Sequence, residues 1–170
     1  MKRTICLLLS LSLASASFCQ DYQLPANYRL ETKTDYSNLE KEVISATDWL
    51  LGIPFNEQSE KRKEVSTFVV RWINGSPTVT VEINPTIMDF EKKNPGFLVI
   101  YMAASARFVL QHHYSTDVRA RQKAAFSEMI RIYQAGKGIQ KDKKLEKLAK
   151  SEAEGKMDEW LDSNMKIDRS

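Results

Sequence analysis

A mostly α-helical, single-domain bundle around a buried central helix, with one short extended segment near residues 77–84, is the fold this sequence predicts. Three observations lead there. Phe97 to Leu110, FLVIYMAASARFVL, is apolar around most of its circumference. It is fourteen residues long and holds Arg107, which is too short and too polar for a membrane span and suits a buried helix. Segments on both sides repeat their apolar residues at helical spacing. Unambiguous period-2 alternation occurs once, where Val79, Val81 and Ile83 alternate with Thr78, Thr80 and Glu82.

The chain opens MKRTICLLLSLSLASASFCQ, with Lys2 and Arg3 ahead of an apolar run from Ile5 to Leu13. This is the pattern of a secretory signal peptide, expected to span residues 1–19. Ser17 and Cys19 suit the small positions before a cleavage site, and Ala14-Ser15-Ala16 offers an alternative after Ala16. Bulky Phe18 argues against lipidation of Cys19. Cleavage after Cys19 removes both cysteines and leaves 151 of the 170 residues, enough for one domain held by its core without disulfides. Losing Lys2 and Arg3 lowers the formal net charge from +3 to +1. A nucleic-acid partner then has no basic surplus to rest on.

Residues 20–34 lack a helical period and contain Pro25 and Asn27, so they read as an extended or mobile lead-in to a helical domain over 35–165. Ser37 and Glu40 have capping-box spacing. Leu39, Val43, Ala46, Thr47 and Leu50 then follow a helical period until Gly52 and Pro54. The next stretch, FVVRWINGSPTVTVEI, is ambiguous. Its Asn74-Gly75 between β-branched runs is a hairpin signal. As a helix, however, Val65, Phe68, Val69, Trp72 and Ile73 make one stripe that continues the helix-forming EQSEKRKE. The helix over 57–74 is the better reading, with Asn74-Gly75 as its C-terminal stop.

That choice leaves SPTVTVEIN without a local partner. It either packs on the core, pairs with a distant segment, or accepts another chain. Packing is favoured, and Val79, Val81 and Ile83 are the candidate binding residues if the edge is open. Thr86 to Lys93 suits a short helix, and Asn94-Pro95-Gly96 restarts the chain before the central helix. A helix over 115–135 follows, with Val118, Ala125, Met129, Ile132 and Tyr133 on its inner face and Gly136 at its end. The remainder reads as two short amphipathic helices around Leu145 and Leu148, then Met157, Trp160 and Leu161, divided by Gly155.

Motifs that carry chemistry are few. His112-His113-Tyr114, followed by Asp117, is where general-base chemistry is conceivable, so His113 and Asp117 are the candidate catalytic residues. Adjacent helical histidines diverge by about 100°, so a shared metal is not expected, and a helix-end role suits them better. Gly136-Lys137-Gly138 beside Lys141, Lys143 and Lys144 lacks the spacing of a phosphate loop. The lysines from 137 to 150 and the acids after Ser151 read as solvated faces, with docking of an acidic partner secondary. Trp49, Trp72 and Trp160 sit on apolar stripes and read as core. No nucleophile elbow, zinc-helix motif or paired carboxylates occur beyond the generic acids Glu42, Asp48, Asp89 and Asp117.

The pattern Phe68-x-x-x-Trp72-x-x-Gly75-Ser76-Pro77, the central apolar helix, and the tail with Lys141-Asp142-Lys143 and Gly155-Lys156-Met157 resemble an uncharacterised group of small secreted helical proteins from Bacteroidota-type bacteria. The resemblance spans most of the chain after residue 19. It implies export and a helical fold, and brings no activity or ligand. The expectation is an exported, non-catalytic binding or interaction protein without cofactor or metal, monomeric or a weak homodimer, whose partner is a protein or small ligand. The alternatives are a small envelope hydrolase using His113 with a nearby carboxylate, and an inhibitor or immunity-type protein.

Overall fold

A computed structural model describes residues 22–165. The expected signal peptide, its cleavage sites and Cys6 and Cys19 lie outside the described residues. Eight helices and no strand occur among the described residues: α1 (Lys33–Asn38), α2 (Glu40–Gly52), α3 (Ser59–Gly75), α4 (Pro85–Lys93), α5 (Phe97–Gln111), α6 (Val118–Ala135), α7 (Lys143–Ala153) and α8 (Met157–Asn164). The predicted helical bundle is therefore what the chain forms. None of these helices is long and apolar enough to cross a membrane.

α5 is the central helix, and its two faces serve two cores. Phe97, Ile100, Tyr101 and Ala104 pack with Phe90, Phe126, Met129 and Leu161 from the α4, α6 and α8 side. Met102, Ala103, Ala106 and Val109 pack with Val43, Leu50, Phe68 and Trp72 from α2 and α3. A helix apolar nearly all round is what this double burial requires. Arg107 escapes both cores by reaching Asp48 of α2 at 2.7 Å and Glu128 of α6 at 2.5 Å. Glu91 accepts hydrogen bonds from the Gly96 and Leu98 amides, placing a carboxylate on donors that the start of α5 cannot satisfy itself. At the other polarity, the Arg62 guanidinium donates to the carbonyls of Leu50, Ile53 and Pro54 at the end of α2.

Helical structure starts at Lys33, before the expected Ser37. The capping box is Thr32 with Asp35: the Thr32 hydroxyl accepts from the Asp35 amide, and the Asp35 carboxylate accepts from the Thr32 amide at 2.8 Å. These backbone bonds to Thr32 and Glu31 hold the Asp35 carboxyl below its usual range. Ser37 instead donates to Thr34 O, and the chain breaks at Leu39 before α2 begins. The described residues before α1 hold no helix and pack on the core through Tyr22, Leu24, Tyr28 and Leu30, with Tyr28 edge-on to Phe68 at 4.8 Å.

Of the ambiguous stretch, Phe68 to Gly75 is helix. Val65, Phe68, Val69, Trp72 and Ile73 are all buried along α3, the stripe that the helical spacing required. Gly75 still belongs to the helix, and the turn-out occurs at Ser76. Its reason is therefore not a left-handed cap: a Cβ there would stand 1.8 Å from the Tyr36 hydroxyl oxygen. Close approach of α1 to the end of α3 is what excludes a side chain.

The segment after α3 takes the first of its three routes, lying on the core without strand pairing among the described residues. Ser76 Oγ accepts from the Thr78 and Val79 amides at 3.2 Å each. Val79 is 3% exposed and Val81 half-buried, but Ile83 is 45% exposed. The inward placement expected for Ile83 is thus corrected. No ladder holds a regular pleat here, and the backbone turns at Asn84, whose side chain accepts from the Ile87 amide to begin α4. Val79→Ala should therefore cost about 1–2 kcal/mol from two lost buried carbons, Val81→Ala less, and Thr80→Pro about 1 kcal/mol or less because no ladder bond is lost. Urea denaturation of the three variants checks this order. A large loss for Thr80→Pro would mean that its amide is paired after all.

Candidate functional site

The sequence-predicted catalytic pair is not assembled. His112 ends α5, its Nδ1 2.8 Å from Phe108 O and its ring stacked on Phe108 at 4.0 Å between centroids. This is the helix-end role expected of it. His113 and Tyr114 are exposed and both left-handed, at φ 53° and 59°, so the chain reverses there toward α6. The Tyr114 hydroxyl donates to Glu40 at 2.8 Å. Asp117 is the N-cap of α6, its carboxylate accepting from the Ala120 amide at 2.9 Å. No hydrogen bond or ion pair joins His113 to Asp117. Among the described residues no three His, Cys, Asp or Glu side chains stand together as metal ligands.

The other motifs resolve into packing. Gly136 is the left-handed cap of α6 at φ 70°. Gly138, at φ 76°, lies against Asn56, whose backbone nitrogen would be 2.9 Å from an added Cβ. Gly136 is thus there for its backbone angle, and Gly138 for its angle and for the close approach of Asn56. Lys92, Lys93, Lys141, Lys143 and Lys144 surround a surface depression of about 610 Å³. It also contains acids with their own tasks: Asp89 binds Lys92 and Lys144, and Asp142 caps α7 through the Lys144 and Leu145 amides. Trp72 is fully buried, Trp49 is 7% exposed, and Trp160 packs on Phe90 and Phe126. All three act as core.

The unusual chemistry lies between α5, α6 and the extended segment. Tyr101 and Ser105 stand one turn apart on α5, and both are 0% exposed. α6 sets Arg121 and Gln122 against them, at 5% and 4% exposed. Arg121 Nη2 donates to the carboxylate of Glu82, which comes from the extended segment. The Arg121 side chain is 6% exposed and that of Glu82 56%, so a buried cation is balanced by an anion at the surface. Four buried atoms around this pair have no hydrogen-bond partner among the described residues: Arg121 Nε, Tyr101 Oη, Ser105 Oγ and Gln122 Oε1.

Such a concentration is atypical, because buried polar groups are generally paired and each one left unpaired costs about 1–3 kcal/mol. Burial pushes the Tyr101 phenol up to about 12, with the Arg121 charge working against that shift and Glu82 reinforcing it. The phenol therefore stays protonated near neutral pH and can donate. Gln122 and Ser105 also act on it from close by, without reaching hydrogen-bond geometry. The cluster thus offers one cation with an unused Nε–H, two hydroxyls and an amide carbonyl. It can bind and orient a polar group. It contains no nucleophile paired with a base.

Neither a protein-family model, a curated protein nor a solved structure matches this chain.

The sequence carried one signal for the cluster. Val118, Ala125, Met129 and Ile132 define the inner face of α6, and Arg121 and Gln122 occupy the helical positions between Val118 and Ala125. A charge at a stripe position indicates a buried ion in need of a partner.

Proposed function

We propose that this chain is an exported, non-catalytic binding protein and that its ligand contacts the polar cluster at Arg121 beneath the extended segment. Export rests on the leader pattern of Lys2, Arg3 and the apolar run from Ile5 to Leu13. The observation that carries the binding reading is the group of four buried, unpartnered polar atoms around Arg121. A few convergent polar groups in apolar surroundings are the common make-up of a small-ligand site, and Ile100, Ala104 and Ala125 of the same two helices belong to the apolar core. The hydrolase alternative draws on less, since the Asp117 carboxylate is engaged as a helix cap and His113 has no acid bound to it.

Purified protein screened by thermal shift against sugars, amino acids, carboxylates and phosphate esters tests the reading. At least one class should raise the melting temperature of the wild type and leave Arg121→Met unmoved. Hits that persist in Arg121→Met would place binding elsewhere. Turnover of a chromogenic ester, phosphate or glycoside that disappears in His113→Ala would overturn the proposal in favour of the hydrolase.

A further inference from the structure

The extended segment has the construction of a removable cover. Residues 76–84 have no strand pairing among the described residues. At one end Val79 is buried and the Ser76 hydroxyl ties the turn. At the other Asn84 caps α4. Between those anchors Val81 is half-buried, Thr80 and Ile83 are exposed, and Glu82 makes the one charged tie, to Arg121. Segments with few buried groups and no backbone ladder open at the lowest free-energy cost. Arg121 sits on α6, a helix of eighteen residues, and does not share that freedom.

The chemistry beneath the cover suits something other than Glu82. A guanidinium has five N–H donors in a planar fork, and its strongest complement is a carboxylate taken through two parallel bonds. Glu82 engages Nη2, while Nε is buried without a partner among the described residues. Tyr101 and Ser105 add hydroxyl donors and Gln122 a carbonyl acceptor. Among the five cluster residues Arg121 carries the single positive charge. A monoanion would therefore be neutralised there, whereas a doubly charged phosphate would bring an uncompensated charge into a buried site.

We propose that Glu82 is a placeholder: a ligand carboxylate displaces it from Arg121, lifts residues 80–83 between their two anchors, and takes further hydrogen bonds from the Tyr101 and Ser105 hydroxyls. The inference rests on the Arg121 cluster being the binding site, and it names the ligand class and the competing group. The displaced Glu82 carboxylate moves into solvent, where more than half of its side chain already stands. Because ligand and Glu82 compete for one cation, affinity in the wild type is reduced by the fraction of molecules in which the cover is closed.

Glu82→Gln removes the competing charge and keeps the shape. Titrated with sodium acetate or glutamate at constant ionic strength, Glu82→Gln should bind about tenfold or more tightly than the wild type, while Glu82→Gln/Arg121→Met should not respond. A short peptide with a free C-terminal carboxylate, compared with its amidated form, separates a chain terminus from a small molecule as the source. Acetate or glutamate alone points to a small molecule, and the acid peptide exceeding its amide points to a terminus. Equal effects of acetate and chloride, or binding retained without Arg121, would sink the idea and leave Glu82–Arg121 as a structural ion pair. Should Glu82→Gln not fold, the Arg121 Nε–H resonance of the wild type is followed instead. It should shift with acetate and not with chloride, and no shift at the highest acetate the fold tolerates counts against the proposal. A neutral sugar that binds through Arg121 would also end the carboxylate assignment, while leaving the cluster as a binding site.

Discussion

Trp72→Ala is expected to lower the unfolding free energy by about 3–5 kcal/mol, the range for truncating a fully buried aromatic residue. The indole is 0% exposed and joins elements that are distant in sequence. Its ring faces Tyr36 at 6.3 Å between centroids, and its Nε1 donates to Tyr36 O at 3.0 Å. Truncation opens a cavity on α3 and removes the bond that draws α1 onto it. Trp72→Phe keeps most of the apolar volume and loses that bond, so it should cost about 1–2 kcal/mol. Urea denaturation with an unchanged m-value measures both. A cost below about 1 kcal/mol for Trp72→Ala would be incompatible with a buried helix over this stretch.

Gly138→Ala should cost about 2–4 kcal/mol, and Gly155→Ala about 1 kcal/mol. Both glycines have left-handed backbone, at φ 76° and 71°, so both substitutions impose a similar conformational cost. They differ in their surroundings. A Cβ on Gly138 would lie 2.7 Å from Asn56 Cβ and 2.9 Å from its backbone nitrogen, whereas nothing lies within 4 Å of one on Gly155. The difference between the two variants therefore reads the close approach of the 136–140 loop to the segment between α2 and α3. Equal losses would show that this loop yields, and that Gly138 is needed for its backbone angle alone.

That loop illustrates which properties local sequence cannot express. Gly136-Lys137-Gly138 among lysines resembles the composition of an anion site, yet Asn94, 3% exposed, decides its role from the end of α4. Asn94 Nδ2 donates to Gln140 O at 3.1 Å, and its Oδ1 accepts from the Gln140 amide at 2.7 Å. The partners are 46 positions apart, a separation that no periodicity spans. The start of the first helix failed for a related reason. Ser37 and Glu40 satisfy the spacing of a capping box as well as Thr32 and Asp35 do, and it is α1, begun at Lys33, that carries Tyr36 against Gly75 and Trp72.

Local sequence was enough for the helical class, the central position of Phe97 to Leu110, the helix through Phe68 to Ile73 and the end of α5 at His112. Each depends on interactions within a few turns of one segment: apolar residues repeating every 3.6 positions, caps, and chain-breaking Gly and Pro. Tertiary packing was needed to establish that Ile83 faces solvent while Val79 does not, that Asp117 caps a helix without bonding His113, and that Glu82 at the surface meets Arg121 beside the buried Tyr101, Ser105 and Gln122. Glu82 and Arg121 are 39 residues apart, and their meeting depends on how α5, α6 and an unpaired segment dock. The periodicity of α6 shows that Arg121 faces inward, but the cation's partner comes from another part of the chain, and packing selects it.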